Sequence, residues 1–218
     1  MLQAILFDLD GTLANTDPIH FGLWQTFLKD YGYDEIDLAF YQRHISGGFN
    51  PDIVKALLPQ LSAAEGEKFS VDKEAAFRVV AADQLHRLPG LDQLLAWIDQ
   101  QGLKQAVVTN APRTNAEFML KTLNLWETFE TVIIGEELPL AKPDPMPYQE
   151  ALKRLKIAPE AAVVFEDSSS GVKAAIAAGI PTIGMATTHS PEALYELGVK
   201  LVIEDFTDPR LLDFGISV

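Results

Sequence analysis

The sequence predicts an α/β fold: a doubly wound parallel-sheet core, with a small all-helical domain inserted after the first strand. Three observations predict it. Short apolar runs end in polar or acidic residues, amphipathic stretches alternate with those runs, and one long N-terminal segment carries helical periods only.

Ala4 to Leu9 is a short apolar run closed by acids and Gly11, the pattern of a buried strand. The same character returns at Gln105–Val108, Thr131–Ile134, Ala162–Phe165, Pro181–Gly184 and Lys200–Ile203. Runs apolar on both faces belong to a parallel sheet covered on both sides. Helical stretches lie between them. Gly90 to Gln101 places Leu91, Leu94, Leu95 and Ile98 at helix spacing, and Gly102 stops it. Pro112–Leu123, Pro145–Leu155 and Ser169–Ala178 follow, the second with proline in its first turn and the last ending at Gly179. From Asn15 to Arg87 no convincing strand occurs. That segment reads as helices over Ile19–Tyr31, Asp52–Leu58 and Ser70–Leu85, punctuated by Gly47-Gly48 and Asn50-Pro51. The expected division is a core of residues 1–14 and 88–218 with a helical domain of residues 15–87.

The 218 residues suit one such core with a modest insertion, and 48% hydrophobic against 22% charged residues is a globular balance. The net charge of −14 and the absence of a Lys/Arg stripe argue against nucleic-acid binding. No run of about 20 apolar residues suggests a membrane span. The N-terminal stretch meets Asp8 almost at once and reads as a strand, not a signal peptide. No cysteine is present, which fits a reducing compartment, here expected to be the cytoplasm. The oligomeric state is not legible, and a monomer is compatible with the sequence.

In an open α/β sheet, ligands bind beyond the carboxyl ends of the strands. The residues there are Asp8 and Asp10, Thr109 and Asn110, Lys142, and Glu166 and Asp167. Acids, hydrogen-bond donors and one cation form an inventory for metal-assisted phosphoryl transfer. Asp8 and Asp10, two positions apart in an extended segment, point the same way. One can attack phosphorus; the other can exchange protons with the leaving alcohol and then with water. Crowding of the two carboxylates is expected to raise one pKa and hold Asp10 protonated. Asp167 suits Mg²⁺, with Asp8, the Asp10 carbonyl and Glu166 completing the metal set, directly or through water. Thr109 and Asn110 can donate to phosphate oxygens. Lys142, held extended by Pro143, can stabilise their charge.

Taken in order, Asp8-Leu9-Asp10-Gly11-Thr12-Leu13, Thr109-Asn110, Lys142-Pro143 and Glu166-Asp167-Ser168-Ser169-Ser170-Gly171 resemble the four signatures of the haloacid dehalogenase superfamily. The resemblance spans nearly the whole chain. It is closest to the subgroup of β-phosphoglucomutases, phosphoglycolate phosphatases and small sugar phosphatases, whose helical cap closes over the substrate. It implies a Mg²⁺-dependent phosphatase of a small phosphorylated metabolite, with Asp8 as nucleophile and Asp10 as acid/base. It also implies cap contacts to substrate from His20 and Lys73. Arg43, His44 and Arg113 read as surface residues, and Trp24, Phe27 and Tyr31 as cap core.

A phosphosugar mutase shares every core motif. The β-phosphoglucomutases carry an arginine near a glycine-containing cap turn, however, and Ser46-Gly47-Gly48-Phe49-Asn50-Pro51 has none. Dehalogenases lack the second acid, which Asp10 supplies here. Phosphonate hydrolysis needs a cap lysine as Schiff base, and nothing singles out Lys29, Lys55, Lys68 or Lys73. A phosphometabolite-binding module without turnover would not need the intact catalytic set.

Overall fold

The computed structural model describes residues 1–217. Every apolar run named above is a strand: β1 (Ala4–Phe7), β2 (Lys104–Thr109), β3 (Thr131–Ile134), β4 (Ala162–Glu166), β5 (Thr182–Met185) and β6 (Leu201–Ile203). They pair in parallel in the order β3-β2-β1-β4-β5-β6. The chain winds outward from β1 through β2 to β3, then returns to β4 on the other side of β1. That reversal makes the crevice at the carboxyl end of β1 the place for a ligand.

Strand periodicity divides the core in two. Ile5, Phe7, Val107 and Phe165 face one apolar cluster, while Ala4, Leu6, Ala106 and Val164 face another. The first is covered by Leu91, Leu94 and Ile98 of α5 (Leu91–Gln100) and by Ala116, Met119 and Leu120 of α6 (Arg113–Thr122). The second is covered by Tyr148, Ala151 and Leu152 of α7 (Met146–Leu155) and by Ala174 and Ala175 of α8 (Ser169–Ala177). A short α9 (Pro191–Glu196), not anticipated from sequence, links β5 to β6. Phe7 and Phe165 stack at 5.5 Å between centroids beneath the strand ends, a rigid floor for the residues that follow them.

Between β1 and α5 the described chain is helical: α1 (Asp17–Lys29), α2 (Leu38–His44), α3 (Asn50–Leu57) and α4 (Ala63–Ala81). These helices share their own cluster, including Trp24, Leu28, Tyr41, Ile53 and Phe69. Trp24 is buried there and Phe27 packs against the cluster through Phe69, whereas Tyr31 lies at the exposed rim, its ring also against Phe69. Helix α2 was not expected, and α4 begins seven residues before Ser70. The reason is a capping box: the Ser62 hydroxyl accepts from the Glu65 N–H while the Glu65 carboxylate accepts from the Ser62 N–H. The two connections to the sheet run side by side, with Ala14 bridging Arg87 and the Leu88 N–H donating to the Leu13 carbonyl at 3.0 Å. Among the described residues no helix is long and apolar enough to cross a membrane.

Candidate active site

The strand expected to run through Leu9 ends at Phe7. The Asp8 N–H still donates to the Phe165 carbonyl at 3.0 Å, and the chain then turns, with Leu13 N–H bonding back to the Leu9 carbonyl. Gly11 makes the turn with φ +75°, and a Cβ there would lie 2.0 Å from Asp167 Oδ2. Glycine is therefore required both for the backbone and for the approach of β1 to the β4 acids.

Lys142 is the hub of the site. Its Nζ donates to Asp8 Oδ1 at 2.7 Å and to Glu166 Oε1 at 2.6 Å, and it sits 5.0 Å from the centre of the Tyr148 ring. Burial favours the neutral amine, but the Asp8 and Glu166 charges outweigh it and raise the Lys142 pKa. Glu166 is fully buried and fully engaged. Oε1 also accepts from Tyr148 Oη, and Oε2 accepts from the Ser168 N–H and hydroxyl. A Cβ on Gly171 would collide with this carboxylate at 1.6 Å, so the glycine makes the space it occupies.

Asp8, Glu166 and Asp167 each bring a carboxylate oxygen within 4.8 Å of the others. Asp167 Oδ2 accepts from Thr188 Oγ1 at 2.5 Å, while its buried Oδ1 has no hydrogen-bond partner in the protein. Burial, together with the neighbouring carboxylates, pushes Asp8 up to about 8 and Asp167 well above the usual range. One lysine does not balance this cluster. An orphaned carboxylate oxygen beside under-compensated acids fits a hard divalent cation such as Mg²⁺. The saturated Glu166 faces Lys142, leaving Asp8 and Asp167 as the carboxylates with free oxygen atoms.

Asp10 departs from expectation. Its Oδ1 accepts from Thr16 Oγ1 at 2.7 Å and contacts His20 Nε2 at 3.3 Å. Burial pushes its pKa up, but His20, Thr16 and Lys73 outweigh burial and leave it below the usual value. Crowding by Asp8 does not hold Asp10 protonated, because the carboxyl is turned toward donors on the helical segment. His20 is itself fixed by stacking on Phe77 at 4.2 Å.

Thr109 is buried, and its oxygen accepts from the Ala111 N–H at 2.9 Å, leaving its hydroxyl proton for a ligand. The Asn110 side chain is occupied: Nδ2 donates to the Lys142 and Gly47 carbonyls, and Oδ1 accepts from the Lys142 N–H. It fixes the lysine loop and ties it to the helical segment. Lys73 is 1% exposed, paired with Glu74 and 4.9 Å from the Trp24 ring. Glu74 also accepts from Asn50 at 2.6 Å and from Asn115 at 2.5 Å. Arg43 and His44 are exposed, and Arg113 pairs with Glu137 and Glu117 at the surface.

These residues line a cavity of about 80 Å³ between sheet and helices. Besides Asp8, Asp10, Lys142 and Asp167, its lining includes His20, Lys73, Thr109 and Asn110, with Asp17, Trp24, Tyr41, Asn50, Glu74 and Asn115 from α1–α4 and α6. Tyr148, Thr188, Asp17 and Asn115 had escaped notice in the sequence. Tyr148 and Thr188 lie far along the chain from the carboxylates they serve, and no local spacing links them.

A sequence profile of the haloacid dehalogenase-like hydrolases matches residues 5–185. The chain belongs to that family. It is 32% identical to a phosphorylated carbohydrates phosphatase of Thermotoga maritima over 93% of this chain and 94% of that one. It is 33% identical to the validoxylamine A 7'-phosphate phosphatase of Streptomyces hygroscopicus subsp. limoneus over the full length of both. The fold superposes on CbbY of Rhodobacter sphaeroides, solved with xylulose-(1,5)bisphosphate, at a TM-score of 0.79 and 27% identity, covering 95% of this chain and 96% of that one. Like the two phosphatases among these relatives, the chain is an enzyme of the phosphoric monoester hydrolase class.

Proposed function

We propose that the protein is a Mg²⁺-dependent phosphatase of neutral carbohydrate or polyol monophosphates, working through an aspartyl-phosphate on Asp8. The observation that carries the reading is the convergence of Asp8, Lys142 and the half-satisfied Asp167 at the strand ends. Residues 15–87 act as the cap over residues 1–14 and 88–218, and enclose the leaving group.

Asp8, Asp167 and the Asp10 carbonyl would hold Mg²⁺, with Glu166 acting on it at most through water. Bound there, the ion would neutralise phosphoryl oxygens and lower the charge burden on the two carboxylates. Lys142, oriented by Glu166 and Tyr148, and the Thr109 hydroxyl bind the remaining phosphoryl oxygens. Asp8 attacks phosphorus; the ester O–P bond breaks, and its oxygen takes a proton from Asp10. Asp10 then takes a proton from the water that cleaves the aspartyl-phosphate, returning Asp8 and inorganic phosphate. The lowered pKa seen here suits the second of these steps. Loading Asp10 for the first requires release from His20 and Thr16, which a cap movement provides.

The cavity favours hydrolysis over mutase chemistry. Among the described residues its lining holds five acids (Asp8, Asp10, Asp17, Glu74, Asp167) and two lysines, each lysine already paired with a carboxylate, and no arginine. A second phosphate, or the carboxylate of phosphoglycolate, finds no free cation on the cap side. A hydroxylated neutral leaving group finds Asp17, Asn50 and Glu74. The test is Mg²⁺-dependent phosphate release from a panel of hexose and polyol monophosphates, phosphoglycolate and bisphosphates, together with Asp8→Asn. Neutral monophosphates should lead the panel and the variant should be inert. Conversion of β-glucose 1-phosphate to glucose 6-phosphate without phosphate release would instead make it a mutase.

A further inference from the structure

The catalytic cavity is small. Its volume is about 80 Å³. Beside it lies a larger groove of about 1000 Å³ between α3, α4 and the loop after β2. The two spaces share Asn50, Glu74, Asn110 and Pro112 in their walls. The wall between them is held by side-chain contacts, Asn50 to Glu74 at 2.6 Å, Asn115 to Glu74 at 2.5 Å and Asn110 to the Gly47 carbonyl at 3.3 Å. Beyond it the groove wall is mainly apolar, with Phe49, Pro51, Val54, Leu58 and Val71.

We propose that this groove is a leaving-group subsite: the substrate's phosphate lies at Asp8 and an apolar substituent of its carbohydrate part passes the Asn50–Glu74 partition. The preferred ester would then be a phosphorylated glycoside or similarly substituted sugar, longer than a bare triose or hexose. The shared wall identifies the occupant: once the Asn50–Glu74 contact opens, the groove is the next space available to a group leaving phosphorus, and its apolar lining rewards carbon. The proposal rests on the phosphatase reading.

The test compares kcat/KM for methyl, butyl and octyl glucoside 6-phosphates in the presence of Mg²⁺. A fully buried methylene is worth about fourfold, so even half-buried alkyl chains should favour octyl over methyl by more than tenfold. Val71→Asp puts a charge at an exposed groove position, 59% accessible, and should bring the octyl-to-methyl ratio near one. Val79→Asp, on the same helix but outside the groove lining, should keep the ratio. Equal rates for all three esters in the unmodified enzyme would overturn the subsite while leaving the phosphatase reading in place. So would an unchanged ratio in Val71→Asp, or a groove closed by a second copy in sedimentation. Absence of Mg²⁺-dependent release from every ester would overturn the phosphatase reading and the subsite with it.

Discussion

Asp8→Asn should stabilise the metal-free protein while abolishing turnover. In the fold without metal the Asp8 carboxyl is pushed from 3.8 up to about 8 by burial, with Glu166 and Asp10 adding to the shift and Lys142 opposing it. Below pH 3.8 both folded and unfolded chains are protonated there. Between 3.8 and about 8 the unfolded chain has lost the proton and the folded one keeps it, so stability falls as pH rises. Above about 8 the loss is complete. At pH 7 about three pH units separate the medium from the unfolded pKa, at about 1.4 kcal/mol each, so the loss is on the order of 4 kcal/mol. Asparagine has the shape of the protonated acid and does not titrate. The variant should therefore melt about 10 °C above the parent at pH 7, taking 2–4 °C per kcal/mol as roughly right for a chain of this size. Differential scanning fluorimetry in EDTA from pH 4 to pH 9 reads the effect. The gap should be small at the acid end, grow with pH, and shrink when Mg²⁺ stabilises the parent. A variant melting at or below the parent at pH 7 in EDTA would mean that pairing with Lys142 outweighs repulsion, and the charge argument for a cation at this site would fail.

Other perturbations separate the parts. Gly11→Ala places a Cβ 2.0 Å from Asp167 Oδ2 at φ +75°, so Mg²⁺ affinity by calorimetry should drop at least tenfold, with about 1–2 kcal/mol lost in stability. His20→Asn removes a group that lowers the Asp10 pKa, so the acid limb of the kcat profile should move to higher pH and kcat should fall about 10–100-fold. Gly47→Ala would put a Cβ 2.2 Å from Ser168 Cβ at φ +65°, so residues 46–50 should become protease-sensitive, kcat/KM should drop, and about 1–2 kcal/mol of stability should be lost.

The sheet was legible because each strand is a short apolar run bounded by polar residues, and the winding rule then located the crevice. The helical segment was less legible. Leu38–His44 has no clear amphipathic period, and the apolar spacing that marks a helix from Ser70 is weak over the first turns of α4, where the Ser62–Glu65 capping box sets the start. In the site, residue types at the strand ends were readable; their partners were not. Asn110 is fully occupied as a tie between the Lys142 loop and Gly47, Glu166 is sealed around Lys142 and Tyr148, and Asp10 turns to His20 and Thr16. The first two depend on tertiary approach of segments distant in sequence, and the third on the turn at Gly11 that brings Thr16 and His20 to Asp10. No local period or spacing encodes that approach.

The central claim is that Asp8 carries the phosphoryl group. Mixing enzyme, Mg²⁺ and a hexose monophosphate, quenching within one turnover and reducing with borohydride converts an acyl phosphate to the corresponding alcohol. Peptide mass mapping should then find homoserine at position 8 and nowhere else. Steady phosphate release with an unmodified Asp8, or with the label on another carboxylate, would contradict the account.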